Sequence, residues 1–212
     1  MNLIDLTMKD YLEVLQSDAP APGGGSVSAL AGAEGAALLL MVARLTLGKE
    51  KFAGDQEICT RGVEKAERLY EQLTAAIDAD TEAFKKVSAA FKMPKETEEE
   101  KAARTAAIGA GTLESTKVPY GVMELCLSGL ETAETMAGHS NPNTASDLGV
   151  AALNFDAGLR GAWLNVKINL PGIKDEALVK EFTRGGEEMI RKSEAVAQKV
   201  FREVRRSLKW QR

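Results

Sequence analysis

From Pro20 to Lys49 the chain reads PAPGGGSVSALAGAEGAALLLMVARLTLGK, and this stretch constrains how the rest can pack. Two prolines and the three glycines Gly23, Gly24 and Gly25 make a turn that is first rigid and then free. Ser26 follows where a helix N-cap belongs. The helix after it sets Ser28, Gly32, Gly35 and Ala36 at three- and four-residue spacing. A face that small lets a neighbouring backbone come very close. The bare N–H groups at such a helix start also suit a negative or electron-rich ligand atom. A tight loop leading into a ligand-free core helix explains the same pattern.

The whole chain, 212 residues with 44% apolar and 27% charged side chains, has the make-up of one soluble globular domain. A net charge of -4 gives no basic surface for nucleic acid. Val27 to Leu47 is nearly long enough to span a membrane, but it holds Glu34 and Arg44 and is mostly small residues. Met1 to Asp10 has neither a basic start nor a long apolar run, so the expectation is no signal peptide and a cytoplasmic protein. Cys59 and Cys126 fit no metal spacing and read as small buried hydrophobes, and the single histidine, His139, cannot build a His-rich metal site. There is no period-two pattern of useful length, no Walker motif, no dinucleotide fingerprint and no Gly-x-Ser-x-Gly.

Helical punctuation recurs instead. Thr7 with Asp10 marks a short first helix through Leu15. The small-residue helix ends near Gly48, and Lys49, Glu50 and Lys51 form a charged loop in which a lysine is either solvated or meets an anion. Asp55 to Met93 is predicted as one long helix with the stripe Ala66, Leu69, Leu73, Ile77, Phe84, Val87 and Phe91. Asp80 falls on that stripe, whereas Asp78 points off it toward solvent. A core-facing carboxylate costs free energy unless it is paired, hydrogen-bonded or used, and desolvation moves its pKa toward the range useful for proton transfer. Two readings stand for Asp80: a structural carboxylate bridging helices, or a proton-transfer group.

Pro94 ends the long helix, and Thr97 with Glu100 starts another whose later part Gly109, Gly111 and Pro119 should weaken or kink. An amphipathic segment from Val122 to Met136 follows. The turn formers of HSNPNTASD lead to a helix with Ser146 as the expected N-cap and Asp147 in its first turn. One face of this helix carries Asp147, Ala151, Asn154, Gly158, Gly161, Ala162 and Asn165, continued by Asn169. Small residues between amides suit either a polar planar ligand or a close-packed helix with hydrogen bonds across it. After Pro171-Gly172, a last amphipathic helix begins at Asp175, is loosened by Gly185-Gly186, and ends in a basic tail of Arg202, Arg205, Arg206, Lys209 and Arg212 that suits the helix dipole.

The segments PAPGGGSVSAL, MVARLTLGK, DADTEAF, MPKETEEEKAAR, SNPNTASDLGVAA and NVKINL, in this order, resemble the cyclodeaminase domain of formiminotransferase-cyclodeaminase and its stand-alone bacterial cyclohydrolase relatives. The likeness covers nearly the whole chain and implies an all-α long-helix bundle, a single domain over residues 1–212, that dimerises. It implies a tetrahydrofolate derivative as substrate and no metal or redox cofactor. The family's catalytic aspartate corresponds to the second Asp of DAD, Asp80. Lys49 would then steer a proton or hold the anionic glutamate tail. Asp147, Asn143, Asn165 and Asn169, with Ser146 beside them, would meet the pterin, and Gly23 to Ser26 would pack against the ligand. Two residues depart from the pattern: Ser140 replaces a glycine before the Asn-x-Asn turn, and Arg44 stands where an uncharged residue is common.

Overall fold

The computed structural model describes residues 2–208, and Lys209 and Arg212 of the basic tail lie outside the described residues. Six α-helices occur among them: α1 (Met8–Leu15), α2 (Gly24–Arg44), α3 (Gln56–Phe91), α4 (Glu98–Met136), α5 (Ala145–Asn169) and α6 (Glu176–Ser207), with no strand. Three of the sequence signals act as expected, those that start α1, α4 and α6. Thr7 Oγ1 accepts the Asp10 N–H. Thr97 and Glu100 close a reciprocal capping box. Asp175 accepts the N–H groups of Ala177 and Leu178.

Helices α2 to α5 form an up-down-up-down bundle in a single domain. Gly25 lies against Asp80 and Gly32 against Leu73, so α2 and α3 run antiparallel. Gly111 meets Val87 and Gly62 meets Met136, which sets α4 antiparallel to α3. Gly35 touches Ala151, and Gly158 meets Ser28 and Gly32, closing the square between α5 and α2. Helix α6 packs on the outside of α4 and α5. The fully buried Phe155 ring wedges between Gly35 of α2 and Gly129 of α4. Helix α2 is long and apolar enough to cross a membrane, yet 61% of that window is buried within the bundle, as in a core helix.

Four expectations are corrected. Helix α4 is continuous through Gly109, Gly111 and Pro119. A proline cannot donate to the carbonyl four residues back, here Ser115, and Asn169 Nδ2 donates to that oxygen instead at 2.9 Å. Gly185 and Gly186 do not loosen α6; they make room for the Tyr120 hydroxyl and the Trp163 ring. Phe84 and Phe91 are 40% and 57% exposed, because α2 begins opposite Asp80 and offers nothing to cover the last turns of α3. Asp78 is no free surface carboxylate: its Oδ1 accepts the Leu3 N–H and ties the N-terminal segment to α3.

Candidate active site

Helix α2 starts earlier than the hydroxyl signal implied. Gly23, extended at φ -134°, occupies the N-cap position, and Ser26 is inside the first turn. Glycine has no side chain to cap with, so the exposed N–H groups of that turn need an acceptor from elsewhere. Asp80 of α3 supplies it. Its carboxylate packs on Gly25, accepts from the Ser26 backbone N–H, and has Oδ2 3.4 Å from Ser26 Oγ. The buried Ser26 hydroxyl has one proton and donates it over 2.8 Å to the Ile77 carbonyl; Thr81 Oγ1 lies 3.2 Å away. Asp80 therefore receives only the longer, weaker share of the Ser26 side chain.

The balance of these forces decides the proton affinity of Asp80. Burial favours the neutral acid, whereas the Ser26 hydrogen bonds favour the anion. Burial wins, and the Asp80 pKa is raised above the ordinary aspartate value. Among the described residues no cation contributes to this shift. A half-buried carboxylate held by partial dipoles rather than by a salt bridge remains free to take up a proton.

Two further groups complete this end of the bundle. Asn165 of α5 lies against Gly24; its Nδ2 donates to the Gly161 carbonyl at 2.9 Å, which leaves Oδ1 as an acceptor. Tyr11 of α1 is buried, and its hydroxyl has no hydrogen-bond partner among the described residues. Burial first, and then the Asp80 charge, raise its pKa. Tyr11 lines an apolar cavity of about 270 Å³ with Leu3, Leu6, Leu30 and Ile77, the last of these one turn before Asp80. Nothing local in the sequence shows that the Tyr11 hydroxyl is without a partner, because the groups around it come from other elements.

The other predicted residues lie elsewhere. Lys49 is exposed beyond the far end of α2, a helix of 21 residues and so about 31 Å long. Asn143, Ser146 and Asp147 are at that same far end, because α5 runs antiparallel to α2. Helix α5 begins at Ala145 with Thr144 as N-cap, since Pro142–Thr144 already form a 3₁₀ turn; Ser146 is exposed in the first helical turn rather than capping it. The residue that fixes this turn is Asn141, which the sequence did not single out. Its N–H donates to Thr46 Oγ1, its Nδ2 donates to the Leu45 carbonyl, and its Oδ1 accepts from Asn143 N–H. Asn169, one turn beyond Asn165, donates its Nδ2 to the Ser115 carbonyl. The small residues of this α5 face, Ala151, Gly158 and Ala162, are buried, and Gly158 packs on Ser28 and Gly32 of α2.

Fold and site together define an all-helical protein with a half-buried carboxylate at a helix N-terminus, in no ion pair among the described residues. The family model described as formiminotransferase-cyclodeaminase matches residues 7–188, and the chain belongs to that family. It is 40% identical over 199 residues to the methenyltetrahydrofolate cyclohydrolase of Methylorubrum extorquens, covering 94% of this chain and 96% of that one. It is 35% identical over 183 residues to the formimidoyltransferase-cyclodeaminase of Rattus norvegicus, covering 86% of this chain but 34% of that longer protein. The crystal structure of formiminotetrahydrofolate cyclodeaminase from Thermotoga maritima superposes with a TM-score of 0.78 at 30% identity, over 96% of both chains. The relatives carry the names of folate enzymes.

Proposed function

We propose that the protein is a methenyltetrahydrofolate cyclohydrolase, interconverting 5,10-methenyltetrahydrofolate and 10-formyltetrahydrofolate in one-carbon metabolism. The observation that carries this reading is the raised, unpaired Asp80 at the α2 N-terminus. The bridging carbon of the substrate sits between N5 and N10 in a cationic amidine. A water oxygen bonds to that carbon while Asp80 takes the water's proton. Collapse of the adduct turns its C–OH into the formyl carbonyl and breaks the bond to N5; the hydroxyl proton ends on N5, the formyl group stays on N10, and the proton held by Asp80 passes to solvent. Ionised Asp80 also favours the cation electrostatically. Asn165 Oδ1 and the Gly23–Ser26 turn border the place where the pterin would lie. These steps call for no metal or redox cofactor.

The reading includes a cytoplasmic location and a homodimer. Support for the dimer comes from Val27 and Met41 of α2 and from Val150, Leu153, Leu164 and Ile168 of α5, exposed apolar side chains on adjacent helices. A second reaction, loss of ammonia from formiminotetrahydrofolate, is favoured by the Thermotoga maritima likeness over 96% of the chain. It uses the same carbon but needs an acid for the leaving amine. Loss of methenyltetrahydrofolate absorbance, measured on purified protein beside ammonia release, tests both. Fast hydrolysis without ammonia release supports the cyclohydrolase; ammonia release alone assigns the second reaction; neither leaves a non-catalytic folate-binding module.

A further inference from the structure

We propose that Tyr11 is a positioning residue for Asp80: in the substrate complex its hydroxyl donates to the Asp80 carboxylate and fixes it toward the reacting water. The inference rests on the folate reading above and adds the group that holds the base in place.

Tyr11 is the one buried residue of α1; Met8, Leu12 and Val14 of the same helix are 64%, 52% and 37% exposed. An aromatic ring is enough to anchor so short a helix. A hydroxyl adds nothing to that packing, and burying it without a partner costs stability for no return. Yet Tyr11 is only 6% exposed, and its hydroxyl oxygen meets neither solvent nor a hydrogen-bond partner among the described residues. Most buried hydroxyls are paired, so this one calls for a partner that arrives in another state of the protein.

The surroundings narrow that partner to Asp80. Tyr11 lines its cavity with Leu30 of α2 and Ile77 of α3. Leu30 follows Ser26 by one turn and Ile77 precedes Asp80 by about one turn, which places Tyr11 roughly 5 Å along the α2–α3 groove from the Asp80–Ser26 pair. The other charged groups on these elements are engaged or exposed. Asp78 accepts the N–H groups of Leu3 and Ile4, Asp10 accepts from Thr7, and Lys9 pairs with Glu13. Asp5, Glu34 and Tyr70 are exposed. Burial first, and then the Asp80 charge, keep the Tyr11 phenol protonated and hence a donor. Hydrogen bonds at catalytic groups are commonly long or misaligned before substrate binds and tighten in the complex. A small shift of α1, otherwise exposed along its length, closes the gap. Asp80 then accepts from both the Ser26 N–H and the phenol, and its remaining lone pairs face the water.

Tyr11→Phe is the test, since it keeps the ring and removes only the hydroxyl. Tyr70→Phe, at the exposed tyrosine of the same cavity, is the control. Both are made in the full chain and checked for wild-type helix content by circular dichroism. The kcat for methenyltetrahydrofolate hydrolysis is followed against pH, because its acid limb reports Asp80 in the substrate complex. Loss of a donor to the anion raises the proton affinity of Asp80. The acid limb of Tyr11→Phe is therefore expected about one pH unit above that of wild type, the size of one hydrogen bond to a charged group. Its plateau kcat is expected to fall about tenfold, as for a base that has lost its alignment. Tyr70→Phe is expected to match wild type in both. A Tyr11→Phe limb that coincides with wild type overturns the inference, because a ring that only packs does not move a pH profile. So does an equal displacement in Tyr70→Phe. Wild-type protein that neither hydrolyses methenyltetrahydrofolate nor releases ammonia removes the folate reading itself, a separate result.

Discussion

The Asp80 carboxylate rests on the Cα of Gly25, so that an acid on one helix caps the start of another. The contact explains both why position 25 has no side chain and why the carboxylate is held without a cation. A desolvated base and a helix start are one construction here. Asp80→Asn keeps the shape and an acceptor for Ser26 N–H but cannot take a proton. Methenyltetrahydrofolate turnover is expected to fall about 10²- to 10⁴-fold, the usual contribution of a general base. Calorimetry of the same variant should show a melting temperature no lower than wild type, since a poorly solvated charge has gone.

The pH dependence follows from the direction of the shift. Below its pKa, Asp80 is protonated and cannot accept from water, so the acid limb of kcat/KM should lie above the ordinary aspartate value of about 3.9. Stability runs the other way. With the folded pKa raised, the native state binds more protons, and this contribution to stability is present below the unfolded pKa and is lost as pH rises through the folded one. Parallel rate and denaturation profiles from pH 4 upward check both signs; an acid limb at the unshifted value contradicts the assignment.

Gly25→Ala would set a methyl group on the Asp80 carboxylate, which must move. Activity is expected to drop at least about tenfold, as displacement of a positioned group commonly costs. Gly121→Ala in α4 is the matched comparison. Nothing lies within 4 Å of a Cβ there, and the variant should gain about 0.5–1 kcal/mol with kcat unchanged. Urea denaturation and steady-state rates on the pair separate the two effects.

Asn169→Ala should act on stability rather than on binding. Without its amide, the Ser115 carbonyl freed by Pro119 loses its partner, at a cost of about 1–3 kcal/mol. A loss of stability with KM unchanged is expected. A raised KM in a fully stable variant would instead return this amide to the substrate.

Much of this molecule was legible before its fold. The capping signals at Thr7, Thr97 and Asp175 located three helix starts, and the misfit of Asp80 on an apolar stripe is physical without any neighbour in view. What remained hidden depends on partners distant in sequence. Ser26 looks like an N-cap because hydroxyls usually are; only the arrival of Asp80 frees Gly23 for that place. Gly185 and Gly186 look loose until Tyr120 and Trp163 fill the space above them. Phe84 and Phe91 obey the period of the α3 stripe but outrun the helix that covers it. Lys49 and Asp80 both carry plausible chemistry, yet their separation is set by the length of α2, which no motif records.

The bond from Asn169 to Ser115 joins the last turn of α5 to the middle of α4 across 54 residues of sequence. A proline in a long helix is ordinarily a soft spot, where the segments on either side swing independently. Here the adjacent strut takes over the missing rung, so α4 and the Asn165 end of α5 move as one body. A ligand seated on that end would meet a stiff wall, and whatever yields on its entry must be the short α1 or the loops.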